Sequence, residues 1–169
     1  HNEAERILAI MEDLLDKYDT DADYSHSNNI NTMDRIIFPQ LPDVPALPAD
    51  GYVKTIDNQT AKKELVKHFG HMQRYAHAFT SVILDQSLHQ HRSLRDMSFA
   101  QDNLKSLLRI MDFVLTSELG GSPDVSVINE LNNLPYNSVA RASTRRYRRA
   151  ACLRQCVHGL RFIKQLFSE

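Results

Sequence analysis

The sequence predicts an all-α protein: an up-up-down-down four-helix bundle with two long crossover loops, formed by residues 1–169 as one domain. Three observations carry that expectation. Apolar residues recur at helical spacing through most of the chain. Two long stretches, 19–57 and 120–137, break the spacing with prolines, glycines and turn-forming polar residues. Between them there is only a short break, "SLHQHRS" at Ser87–Ser93.

The first helix is expected over about residues 2–18. Ile7, Ile10, Met11, Leu14, Leu15 and Tyr18 form its apolar stripe, with Glu5, Glu12, Asp13 and Asp16 opposite. "DTDAD" then ends it. "FPQLPDVPALPADG" carries four of the six prolines and must run extended, while Ile36, Ile37, Phe38, Leu41, Val44 and Leu47 allow it to pack along helices. Asp57 or Asn58 caps a second helix to about Gln86, striped by Leu65, Phe69, Met72, Ala76, Phe79 and Ile83. His68, His71 and His77 lie along it. With no third ligand in view, His68 and His71 read as a solvated polar face rather than a metal site.

The third helix is expected over about 94–119, with Met97, Ala100, Leu104, Leu107, Leu108, Met111, Val114 and Leu115 inward and "GGSPD" as its stop. The connection after it has room for one helical turn around "VINELNNL". The fourth helix should run from Asn137 or Ser138 to Phe167, with Leu153, Cys156, Val157, Leu160, Ile163 and Phe167 as its stripe and Cys152 at the edge. A short link makes helices two and three antiparallel neighbours. The two long links can cross the whole bundle, so helices one and two, and three and four, run parallel.

The 169 residues carry a net charge of −1, and the total conceals an asymmetry. Glu3 to Asp23 hold eight acids against Arg6 and Lys17, whereas seven arginines and Lys164 follow from Arg141. Such ends can face each other or separate partners. No run of about 18 apolar residues exists, so no membrane span is expected. "HNEAERILAI" suits a mature protein whose leader has gone, and equally a cytosolic one. Asn58-Gln59-Thr60 is an acceptor triplet for N-glycosylation. Cys152 and Cys156, four apart on a helix, read as buried reduced thiols rather than a disulfide. No phosphate-binding glycine loop, zinc-protease motif, nucleophile elbow or Glu-x-x-His pair is present, so no enzyme, cofactor or metal is expected.

"ACLRQCVHGLRFIKQLFSE" resembles the last helix of the interleukin-6, leukaemia inhibitory factor, oncostatin M and ciliary neurotrophic factor group of helical cytokines, and "HGLRFI" especially the last of these. The proline-rich crossover, its acceptor triplet and "AKKELV" resemble the passage into the second helix of leukaemia inhibitory factor. The resemblance extends to divergent members, an arthropod ligand of the related Unpaired type among them. Two departures stand out. Members with disulfides carry cysteines in the first helix and loops, where this chain has none. The aromatic and lysine that precede the last-helix cysteine in the family correspond by count to Arg145 and Arg148, with Tyr147 the nearest aromatic.

The resemblance implies a secreted, extracellular cytokine that bridges class I cytokine receptor ectodomains of the shared signal-transducer type and triggers JAK/STAT signalling. Three receptor epitopes are then expected. One is Arg154, His158, Arg161 and Gln165 on the last helix. A second is Arg145, Tyr147 and Arg148 at its start. The third joins Glu12, Asp13 and Asp16 to Lys105 and Arg109. Asn58 would carry the glycan. Heparan sulfate is the further partner that "RRYRRAACLR" suits, with no membrane insertion and no nucleic acid. The competing readings are an intracellular adaptor bundle with free thiols, and a heparin or nucleic-acid binder acting through the basic helix.

Overall fold

The computed structural model describes residues 2–18, 57–137 and 141–166. Among the described residues the protein is all-α, with no strand. The helices are α1 (Asn2–Tyr18), α2 (Asn58–Leu88), α3 (Leu94–Phe113), α4 (Val125–Asn132) and α5 (Ala142–Leu166). The proline-rich passage and its apolar residues lie outside the described residues.

α1 places Glu3 and Glu5 in its first turn and Lys17 in its last, charges that complement the helix dipole. Its buried face is Ala4, Ile7, Leu8, Met11, Leu14 and Tyr18, while Ile10 and Leu15 are half-buried at the stripe's margins. Asp57, in extended backbone, caps α2 by accepting the Thr60 N–H at 2.7 Å. α2 runs to Leu88, and the His91 N–H returns to the Gln86 carbonyl at 2.9 Å to turn the chain into α3.

α3 is α-helical to Phe113 and then widens into a π-helical turn, Val114–Glu118, within the span expected to continue as one helix. The Leu119 N–H reaches the Val114 carbonyl at 3.1 Å, and Gly120 turns the chain at φ +63°, where a Cβ is strained. Where one helical turn was expected, α4 is an eight-residue helix capped by Asp124. Its Leu131 is buried, and Arg74 of α2 donates twice to Glu130 at 3.0 and 2.7 Å. α5 begins at Ala142, later than expected. Asn137 is not helical, and its carbonyl accepts a hydrogen bond from Arg148 at 2.8 Å. Ser138 and Phe167, the other expected ends, lie outside the described residues.

One apolar core joins α1, α2, α3 and α5. Four antiparallel pairings enclose it. Along α1 and α5, Glu5 meets Lys164, Glu12 meets Arg161 and the Tyr18 carbonyl meets Arg149. Along α1 and α3, Arg6 reaches Asn103 and Lys17 reaches Asp96. Gln101 of α3 donates to the Ala76 carbonyl of α2 at 2.9 Å. Between α2 and α5, His68 lies on Phe162, Tyr75 beside Gly159, and Asp85 beside Arg148. Gly159 leaves room for the Tyr75 ring between that pair, because a Cβ there would sit 2.7 Å from it. Cys152 and Cys156 are fully buried and unbonded, on the inward face as expected.

Candidate functional site

The candidate site is a set of helix surfaces, and the fold treats the expected residues unequally. Near the C-terminal end of α5, Arg161 is exposed and donates to Glu12 Oε1 at 3.0 and 3.2 Å. Arg154, His158 and Gln165 are half-buried on the same side, with Arg154 over the Tyr147 ring at 5.9 Å. Such exposed ion pairs contribute little stability, on the order of 1 kcal/mol or less. Their charges remain able to meet a partner.

At the start of α5 one expectation is corrected. Arg148 is only 5% exposed and is not part of an accessible epitope. Its Nε lies 3.2 Å from Asp85 Oδ2, and its guanidinium sits over the Tyr136 ring, whose hydroxyl donates to Asp85 Oδ1 at 2.7 Å. Burial raises the proton affinity of Asp85, opposed by the Tyr136 hydrogen bond and by Arg148. Tyr136 is pushed up to about 12 by burial and by Asp85. Arg145 is half-buried beside this cluster, and Tyr147 is half-buried against the apolar core.

The histidine expectation is corrected too. His68 is fully buried and His71 nearly so, where a solvated face was expected. α5 covers that side of α2, stacking Phe162 on His68 with ring centres 4.4 Å apart. Burial pushes His68 down to about 3 and His71 down to about 4, so both rings are neutral near pH 7. Among the described residues, no three His, Cys, Asp or Glu side chains gather as a metal site.

The third expected epitope divides. Glu12 points toward α5, whereas Asp13 and Asp16 are exposed on α1. Asn103 marks the side of α3 that meets α1, and Lys105 lies about 160° around the helix from it. Lys105 and Arg109 are exposed, but on a different face from the acids. Asn58 is exposed in the first turn of α2.

Sequence reasoning missed an apolar surface on α3. Phe99, Ile110 and Phe113 are 53%, 45% and 62% exposed, in a stripe flanking Asn103 on the α1 side. Arg6 and Lys17 of α1 reach Asn103 and Asp96 of α3 and supply charged neighbours. The signal was present in the spacing. These three apolar residues fall off the core stripe, eleven and three residues apart, which returns them to one face. Among the described residues, no helix is long and apolar enough to cross a membrane. Compared with family models, curated proteins and solved structures, the chain matches none.

Proposed function

We propose that this chain is an up-up-down-down four-helix bundle with two long crossovers, and that it acts as a secreted helical cytokine of the interleukin-6 and leukaemia inhibitory factor kind. On this reading it binds and bridges class I cytokine receptor ectodomains to trigger JAK/STAT signalling, using no catalytic residue and no cofactor. Two features support the bundle: the four antiparallel pairings, and connections before α2 and after α3 long enough to span it. The resemblance of the last helix supports the family.

The observation that carries the docking proposal is the exposed stripe of Phe99, Ile110 and Phe113 beside α1. Exposed aromatics surrounded by charge have the composition of an interface centre. Arg161, with Arg154, His158 and Gln165, forms a second docking surface, and Asn58 carries the glycan. The test is STAT phosphorylation in receptor-bearing cells, with Phe99→Asp and Phe113→Asp made singly and together. A folded double variant should lose roughly tenfold or more in potency. Parental potency in that variant and in Arg161→Glu, with circular dichroism unchanged, would exclude receptor bridging through these faces.

A further inference from the structure

The arginines of α5 do not lie along one solvated face. Several converge at the end of the molecule where Tyr18, the α2–α3 link and the start of α5 meet. An open cleft of about 410 Å³ lies there. Its walls carry Arg92, Arg145, Arg146 and Arg149 together with His89 and His91, and no acidic side chain among the described residues. Two carboxylates in neighbouring turns are engaged elsewhere: Asp96 by Lys17 and Tyr18, and Asp85 by Arg148 and Tyr136. His91 is pushed below its ordinary range by burial and then by Arg149, Arg92 and Arg145 together. Arg145, Arg146 and Arg149 also make further contacts within the chain.

We propose that this cleft is a binding site for a sulfated polysaccharide of the heparan sulfate class. Guanidinium groups present paired N–H donors that match sulfate oxygens, and a concave wall lets several act on one cluster of oxyanions. Nucleic acid fits less well. A net charge of −1 with an acidic α1 provides no long basic track for a phosphate backbone. The Tyr18 ring in the cleft has the guanidiniums of Arg149 and Arg92 at 5.1 and 5.5 Å from its centre, so it offers no open platform for a base. The proposal does not depend on the receptor reading, since the cleft is separate from the α3 stripe and from the Arg161 surface.

The test uses the full chain and a heparin-derived octasaccharide in calorimetry, with fully desulfated octasaccharide and an oligothymidylate of similar charge as comparisons. Arg92 and Arg146 are exposed, so Arg92→Glu/Arg146→Glu should fold normally by circular dichroism. That double variant should bind at least about tenfold more weakly, whereas Lys105→Glu on α3 should bind like the parent. Desulfated sugar should not bind. In the parent, octasaccharide should shift the His89 and His91 ring resonances and leave His71 unmoved, a readout that needs no variant. Unchanged affinity in the double variant, or an equal loss in Lys105→Glu, would overturn the site. Tighter binding of oligothymidylate with the same arginine dependence would overturn the ligand class and make the cleft a nucleic-acid site.

Discussion

Arg148 shows how a single residue changes meaning when its neighbours are known. In sequence it belongs to a basic run that reads as solvated surface. In the fold, Asp85 is carried to it from the far end of α2, and both side chains leave water together. Removing one member of such a pair strands the other charge. Arg148→Ala should therefore cost about 3–5 kcal/mol in urea unfolding. Arg148→Met combined with Asp85→Asn should recover part of that loss, because neither variant side chain carries a charge into the interior. A loss under about 1 kcal/mol for Arg148→Ala would show that water reaches the pair. Tyr136 adds specificity to the cluster, since its hydroxyl donates to the same carboxylate and its ring lies under the guanidinium.

At the scale of elements, α5 is the least amphipathic of the long helices because α1 and α2 both pack on it. From Arg148 onward most of its side chains are buried, including both cysteines. Room for the Tyr75 ring of α2 depends on Gly159. Gly159→Ala would press a methyl group into the Tyr75 ring and the Met72 side chain, so we expect destabilisation of about 1–3 kcal/mol by thermal unfolding. Parental stability would show that Tyr75 has room to move. The same burial bears on "RYRRA", which matches the Arg-x-Arg-Arg pattern cut by furin-like proteases. Arg148 and Arg149 are buried within α5, so limited proteolysis of folded protein should leave the bond after Arg149 intact. Prompt cleavage there would mean that the first turns of α5 open readily.

The whole molecule should be sensitive to mild acid. His68 and His71 are neutral when folded, with proton affinity depressed chiefly by burial, and their unfolded value is near 6.5. As pH falls below about 6.5, the unfolded chain takes up protons that the folded chain refuses. Stability is therefore complete above that value and falls toward the folded values of about 3 and about 4. Between pH 6 and pH 5 the two histidines together should remove about 2 kcal/mol. Asp85 acts in the opposite sense, because its raised affinity lets the folded state bind a proton early. His68→Leu should flatten the acid limb of a stability–pH curve. An unchanged slope would show that the buried ring is not what titrates.

Much of the fold was legible because it depends on local spacing. Ile7, Met11, Leu14 and Tyr18, or Leu65, Phe69, Met72, Ala76 and Phe79, reveal an inward face wherever the partner lies, since only 3.6-residue periodicity is needed. The Asp57 cap and the glycine stop after α3 are local for the same reason. The sequence alone therefore determined an all-α protein of long helices, most of their boundaries, and the burial of Cys152 and Cys156. The tertiary structure decided which polar residues remain on the surface. His68, Arg148 and Arg149 are buried because distant segments cover or pair with them, and no local pattern records that. Phe99 and Phe113 are exposed for the complementary reason, because α1 packs beside Asn103 on that side of α3 without covering them. Periodicity identifies a helix's faces, but the neighbours that pack on them, and so the surfaces left for a partner, depend on contacts between residues far apart in the chain.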